Sequence, residues 1–401
     1  MSLAARVESY LRAECFRAPA DGAPLRFGAE LELLALDAST RRVALIRAGS
    51  GRGTHDVAGA VAARCGWTEQ RSDKGTSRFV ASGGGALTFE PGGQLEYASG
   101  VHATIDGVVG ELAGVQRMLE EEAARRGIML LAVGVDPENG AADAPFQLEA
   151  VRYRRMAAYF DRIGPHGARM MRQTASLQLC LGGTDPVAGW RVSNAIAPWL
   201  VALFANSPRY AGHDAGCASY RAEIWRGVDP RRTGIFEGCE PLREYAAFAL
   251  AAPAFLVGAD DQPAMPFGEL DDGATSDADL ATHLSTLFPE VRPRGYLELR
   301  SIDSVEATQH AAAMVLAAGI IGDDVASAEA LELLGDPDPS LLHAAGRSAL
   351  ADPVLSRHVH DLIEIAIAGC ARRGTTMISE SLLEEGGSVL LERASSTPVL
   401  R

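Results

Sequence analysis

The stretch Tyr296-Leu297-Glu298-Leu299-Arg300 alternates polar and apolar side chains with period two. In a strand that places Tyr296, Glu298 and Arg300 on one face and Leu297 and Leu299 on the other. Taken alone, a carboxylate and a guanidinium two positions apart fit an ordinary solvated strand face. The pattern is not alone. Residues 26–33 put Glu30 and Glu32 opposite Phe27, Leu31 and Leu33, and the alternation fades at Leu34. Residues 87–97 put Thr88 and Glu90 before a Pro91-Gly92-Gly93 break and Gln94 and Glu96 after it, opposed by Phe89, Leu95 and Tyr97. Residues 172–181 alternate Arg172, Thr174, Ser176 and Gln178 with Ala175, Leu177, Leu179 and Leu181. Four strands with one polar stripe predict a single sheet whose polar face is turned inward.

The strands lie between residues 26 and 301, so the 401 residues are expected to form one catalytic domain, a sheet-bearing core at 1–304 with a helical region at 305–401 packed on it. A hydrophobic fraction of 47% and a charged fraction of 22% suit a globular protein with a sizeable core. The formal charge of −15 argues against nucleic acid or an anionic membrane as partner. An anionic substrate would then be caught by local arginines or by bound metal. No segment approaches the about 18 apolar residues of a membrane span, and a cytoplasmic location is expected. Cys15, Cys65, Cys180, Cys217, Cys239 and Cys370 form no C-x-x-C pair, which predicts free thiols.

In chain order, the pattern predicts a helix over 1–20, a first strand over 25–36 paired with the run 42–46, a glycine loop at 49–54 and a helix over 57–65. The glycines at 83–85 read as a tight hairpin. A helix over 105–126 stops at Gly127, a buried strand covers 128–135, and helices cover 146–161 and 187–205. Residues 206–226 read as a loop dense in polar side chains, the kind of segment that carries sites. An acidic loop covers Asp260 to Asp279. Beyond it, helices are predicted at 305–321, 326–334, 339–350, 353–372 and 378–393. His283 and Asp303 are read as capping or orienting groups, and Trp225 as packing.

If the strands converge, Glu30, Glu32, Glu90, Glu96 and Glu298 repel one another and resist desolvation unless they are protonated or neutralised. Divalent cations are the natural counter-charge. Oxygen ligands without Cys and with little His suit Mg2+, with Mn2+ as the alternative, rather than zinc. With Arg300 and Arg221 as donors, the set points to phosphoryl transfer from ATP, in which catalysis is mainly positioning and charge neutralisation.

The segments GAELELLALD (28–37), TFEPGGQLEYAS (88–99), MRQTASLQLCLG (171–182), NSPRYAGHDAGCASYRAEIW (206–225) and HLSTLFPEVRPRGYLELRSID (283–303) resemble the glutamate-cysteine ligase family that includes the plant-type enzymes. The last stretch is most similar to the ergothioneine-pathway branch, the EgtA group. The resemblance covers about residues 26–305, and EPGGQ-x-E with YLELR-x-x-D is specific. It implies an α+β fold like the glutamine synthetase catalytic domain, a curved, mainly antiparallel sheet forming a funnel with helices around it. It also implies the reaction: Mg-ATP phosphorylates the side-chain carboxylate of L-glutamate, and the amine of L-cysteine displaces phosphate to give gamma-glutamylcysteine, for ergothioneine or glutathione-type thiol synthesis. On the matching motifs the metal ligands fall on Glu30, Glu32, Glu90, Glu96 and Glu298. Arg300 would neutralise the transferring phosphoryl, and Arg221 would contact the phosphate or the glutamate carboxylate. Gln178, Arg172 and Gln94 are assigned to ligand binding, and the chain is expected as a monomer or homodimer. A ligase for another amine and an inactive homologue are the alternatives left open.

Overall fold

The computed structural model describes residues 2–71, 77–258 and 264–396. Its centre is β1 (Arg26–Asp37), which serves three neighbours. Along Arg26–Leu31 it pairs with β7 (Ser176–Gly182), along Glu30–Leu33 with β5 (Leu95–Ala98), and along Leu34–Asp37 with β6 (Ile128–Leu131). The sheet extends on one side through β4 (Ala86–Phe89), β3 (Ser77–Val80) and β2 (Thr68–Arg71), and on the other through β9 (Leu297–Asp303) to β8 (Val291–Pro293). Every pairing in it is antiparallel.

Burial along β1 follows the alternation. Phe27, Ala29, Leu31 and Leu33 are buried while Gly28, Glu30 and Glu32 between them are less so, and from Leu33 to Leu36 both faces are covered. The apolar face meets helices α3 (Ile105–Arg125), α6 (Pro186–Leu203) and α10 (His310–Ile321). Every residue of α10 is buried, so each of its Met, Val, Leu and Ile side chains contributes about 1.5–3 kcal/mol of burial. Around it lie α11 (Asp324–Leu334), α13 (Pro353–Arg373) and α14 (Glu380–Ser395), with α12 (Pro339–Ser348) against α6. Where α10 crosses α13, a Cβ at Gly319 would sit 2.2 Å from the Ala366 carbonyl oxygen and one at Gly369 2.0 Å from that of Gly319. Two glycines let the helix axes approach backbone to backbone. One hydrophobic cluster runs from Leu3 through the sheet to Leu390. No single helix among the described residues is long and apolar enough to cross a membrane.

The C-terminal helices stand where their periodicity placed them, and Asp323, Asp338, Asp352 and Ser379 each accept a hydrogen bond from the first turn of the helix that follows. Elsewhere the structure differs from the expectation. Arg172 is not on a strand. Residues His166–Gln173 form helix α5, which buries Met170 and Met171 with Phe160 in a small separate core, and β7 begins only at Ser176. The helix expected over 146–161 begins at Val151 (α4, Val151–Phe160), and the run 42–46 makes a single bridge, Leu36 to Val43. The loop of 206–226 ends in helix α7 (Tyr220–Val228), capped by the Ser219 hydroxyl. Helix α2 (Thr54–Cys65) is as expected; the helix expected over 1–20 is shorter, α1 (Leu3–Tyr10) continuing only as a π-helical turn to Cys15, and α8 (Pro241–Ala251) and the paired strands β2 and β3 carry no strong pattern in sequence. Of the acidic stretch 260–279, residues 260–263 lie outside the described residues, and its end opens helix α9 (Asp277–Leu284). All six cysteines are free.

Candidate active site

Residues directly opposite on paired strands point to the same face. Glu30 stands opposite Gln178 and Ala98, Glu32 opposite Glu96, Glu96 opposite Thr88, and Glu298 opposite both Cys180 and Arg292. The register of five strands thus gathers the expected carboxylates on one face. Glu90 joins them from the end of β4, on the turn Pro91-Gly92-Gly93. That turn is braced by side-chain amides: the buried Gln94 accepts from Gly92 N (3.0 Å) and donates to the Thr174 carbonyl (3.0 Å), and the half-buried Gln147 donates to the Gly92 carbonyl (2.6 Å). Gly92 is obligatory, because a Cβ there would lie 2.1 Å from the Arg172 carbonyl oxygen. Arg172 itself donates to the carbonyls of Ala144 (2.9 Å) and Ala168 (3.3 Å). Gln94 and Arg172, both expected at a ligand, therefore have their hydrogen bonds inside the protein.

The carboxylates divide into two electrostatic settings. Burial, then Glu96 and Glu298, raise Glu30 from the usual 4.5 to about 7 against the pull of Arg300 and Arg292. Burial and the charges of Glu96 and Glu32 push Glu90 well above the usual range, and its carboxyl is hydrogen-bonded to that of Glu96. Glu96 is raised as well, by burial and Glu32, although Thr88 donates to it at 2.8 Å. Burial also raises Glu32, whose oxygens accept from Ser176 N (2.7 Å), the Ser176 hydroxyl (3.0 Å) and Gln178 Nε2 (3.4 Å). Gln178 therefore sits among the carboxylates, as expected.

Glu298 behaves oppositely. Burial would raise it, but Arg292 and Arg300, then Arg294, hold it down at about 2. Its Oε1 lies 2.5 Å from Arg300 Nη1 and 2.6 Å from Arg292 Nη2, and its Oε2 3.4 Å from Arg294 Nη1. Arg300 also donates to the Gln178 side-chain oxygen. Arg292 and Arg294 were not singled out in sequence. Arg292 lies in β8 and Arg294 in the tight turn that follows it, and Arg292 faces Glu298 only through the β8–β9 pairing.

Arg221 is buried behind this cluster. It donates to the Arg300 carbonyl (2.8 Å), pairs with Asp303 at 3.8 Å and lies over Trp225, as does Arg300 on the same ring. It anchors the irregular part of β9 from which Arg300 emerges, where the pairing with β7 shifts between Leu299 and Ile302. Asp303 orients this region by accepting from Asn206 N (2.8 Å) and the hydroxyls of Ser207 (2.7 Å) and Ser219 (2.9 Å). His283 is a packing group, stacked on Phe267 and bonded to the Ala249 carbonyl at 2.8 Å.

Two cavities open on the site. One, of about 520 Å³, is lined by Thr88, Glu90 and Glu96 with Arg71, Arg78 and Tyr153. The other, of about 510 Å³, is lined by Arg292 and Arg294 with Tyr10, Cys15 and Tyr245. Each is in the size range of a small-molecule site.

Residues 26–374 match the glutamate-cysteine ligase family 2 (GCS2). This chain belongs to that family. It is 33% identical over 323 residues to the glutamate-cysteine ligase EgtA of Mycolicibacterium smegmatis, covering 75% of this chain and 74% of that protein. It is 29% identical to the chloroplastic glutamate-cysteine ligase of Nicotiana tabacum, over 72% of this chain and 60% of that one. Among solved structures, the glutamate-cysteine ligase of Francisella tularensis in complex with AMP shares the fold, with a TM-score of 0.51 and 13% identity over 94% of this chain and 83% of that one. The family is one of ATP-dependent ligases, and the mainly antiparallel sheet backed by helices, with a helical C-terminal region, is the fold shared with that solved ligase.

Among the described residues no three His, Cys, Asp or Glu side chains stand in a ready-made metal-binding arrangement. The donor chemistry nevertheless fits a hard cation. Glu30, Glu90 and Glu96 are the carboxylates whose charge the protein leaves least compensated, whereas three arginines already answer that of Glu298.

Proposed function

We propose that this site joins the side-chain carboxylate of L-glutamate to the amine of L-cysteine at the expense of ATP, with Mg2+ or Mn2+ held by Glu30, Glu90 and Glu96 and assisted by Glu32. The division of one sheet face into a carboxylate-rich end and an arginine-rich end, in a chain of this family, carries the reading. A bound divalent cation would neutralise the crowded carboxylates and the phosphates of the nucleotide, and would draw charge from the phosphoryl group in transfer.

The cavity beside Glu90 and Glu96 suits the metal-bound nucleotide, with Arg71 and Arg78 on its wall. The cavity beside Arg292 and Arg294 suits the α-carboxylate of an amino acid, because guanidinium forks match carboxylates. Arg300, held in place by Glu298 and Gln178, supplies positive charge between the two. Glu298 orients three guanidiniums more than it binds metal. Arg221 serves by fixing the backbone at Arg300. The acceptor follows from the family, and the cavity walled by Tyr10, Cys15 and Tyr245 with Arg292 and Arg294 has room for an amino acid.

The test is ADP release with Mg-ATP, L-glutamate and single amines. Cysteine is expected to be best, 2-aminobutyrate next because it fills the same volume, and serine poorer by about ten- to two-hundred-fold. An alkylamine that outpaces cysteine by more than about tenfold would leave the site a ligase and overturn the named acceptor.

A further inference from the structure

A third cavity lies away from the polar sheet face, where α5, α7 and α12 meet. It holds about 410 Å³ and is lined by His166 of α5, Cys217 of the loop before α7, Tyr220, Glu223 and Arg226 of α7, and Arg347 of α12. Among the described residues it shares no lining residue with the two active-site cavities. Backbone contacts fix its walls: Ala218 N donates to the Arg347 carbonyl (3.0 Å) and Ser219 N to that of Gly346 (2.9 Å), and a Cβ at Gly227 would lie 2.5 Å from the His166 ring.

The polar groups around this cavity are mostly donors. Arg226 is held from one side by Glu223, and the Arg347 guanidinium has no hydrogen-bond partner among the described residues. The Tyr220 hydroxyl accepts from Arg169 at 2.6 Å, which leaves its own proton to donate. His166 registers the positive charge: burial, then Arg169, lower its pKa, and Arg226 adds to the effect against the pull of Glu223. In a chain of formal charge −15, two guanidiniums against one carboxylate make this wall a local exception. Side chains three or four apart share a helix face, so Tyr220, Glu223 and Gly227 lie along one side of α7 and Arg221 and Trp225 along another. That other side supports Arg300, whose carbonyl accepts from Arg221 and whose guanidinium lies over the Trp225 ring.

We propose that this cavity is a second ligand site, for a small organic anion bearing a phosphate or carboxylate group, and that its occupant acts on the ligase site through α7. The anion lies between Arg226 and Arg347, with the Tyr220 hydroxyl as a third donor. Guanidinium forks match either oxyanion, and the volume suits a metabolite-sized molecule. An occupant that ties α7 to α12 fixes α7 in the position from which Arg221 and Trp225 hold Arg300. Binding here therefore favours nucleotide binding beside Arg300, and by linkage the nucleotide favours the anion equally. This coupling rests on the reading above; the site itself does not.

Isothermal titration calorimetry with inorganic phosphate, glycerol 3-phosphate and succinate tests the site on wild type, Arg347→Ala, Arg347→Glu and Arg300→Lys. At least one probe is expected to bind with a Kd below about 1 mM. Arg347→Ala should weaken it about tenfold, Arg347→Glu should abolish it, and Arg300→Lys should leave it unchanged. Binding of the two phosphates alone assigns the site to phosphate, and binding of succinate alone assigns it to carboxylate. No binding by any probe overturns the proposal, as does binding that survives Arg347→Glu. Binding lost in Arg300→Lys belongs to the ligase site and overturns it too. For the coupling, the bound probe should lower the Kd of a magnesium-bound, non-hydrolysable ATP analogue about fivefold or more in wild type and not in Arg347→Glu. An unchanged or raised Kd in wild type overturns the coupling. Neither readout uses turnover, so a wild-type protein that forms no glutamate-dependent ADP defeats the ligase reading while the calorimetry still decides this site.

Discussion

Glu30 and Glu298 are the same residue type on one face of one sheet, one strand (β7) apart, yet they titrate in opposite directions. Glu298 is fully buried and held down at about 2, while the less buried Glu30 is raised to about 7. Burial alone would rank them the other way. What decides is the count of neighbouring charges: Glu298 has three arginines on its two oxygens, whereas Glu30 faces Glu96 and Glu298. The arginine-rich end is a finished ion cluster with positive charge to spare for a substrate anion. The carboxylate-rich end is an unfinished one, complete only when a cation arrives.

The sharpest way to break this contrast is a pair of isosteric substitutions. Glu298→Gln leaves buried guanidiniums without their counter-ion and is expected to destabilise the metal-free protein by about 3–5 kcal/mol in urea denaturation. Glu30→Gln removes a repelled charge and should leave that stability unchanged or higher, while turnover drops by about 10²-fold or more through loss of metal and phosphate compensation. If both substitutions cost the same stability, the two ends are not electrostatically distinct.

A smaller effect follows from pH. Because Glu30 holds its proton more tightly when folded, the stability it lends is present below its ordinary 4.5 and is lost as the pH rises through about 7. Glu298 has the reverse sign: its contribution is present above 4.5 and is lost as the pH falls toward about 2. Metal-free protein should therefore weaken between pH 4.5 and 7 in a series of denaturation curves, and Glu30→Gln should flatten that decline without altering the acid limb. Metal affinity, measured by calorimetry, should climb over the same interval because the ligands must ionise. A decline that survives in Glu30→Gln would assign it to other groups.

The smallest change expected is at Arg294, whose side chain is 51% exposed and whose contact with Glu298 is the longest of the three. Arg294→Ala should raise the KM for an amino-acid substrate by about three- to tenfold with kcat little changed. A loss of turnover as large as that for Arg300→Lys, which keeps the charge but loses the planar fork, would mean that the arginine-rich end works in the transition state throughout and not chiefly in substrate binding.

The amino-acid pattern determined which side chains share a face within each strand and where the C-terminal helices run, because both are local. Period two around Glu30, Glu96 and Glu298 needs only that the segments be strands, and the caps at Asp323, Asp338, Asp352 and Ser379 act within one turn. Local pattern also misled at Arg172. Arg172 and Thr174 share the parity of Ser176 and Gln178, as on one strand face, but Gln173 between them is polar too; Met170 and Met171 find their burial beside Phe160 on a helix, and tertiary packing took the segment through Gln173 with it. Only the tertiary structure decided the rest. Arg292 meets Glu298 through the β8–β9 register, Arg152 of α4 reaches the wall of both active-site cavities by donating to Ser285 at the end of α9, and Arg221 turns to the backbone of β9 from a helix far away in the chain. These contacts join groups separated by up to 133 residues in sequence, and no periodicity within a segment records them.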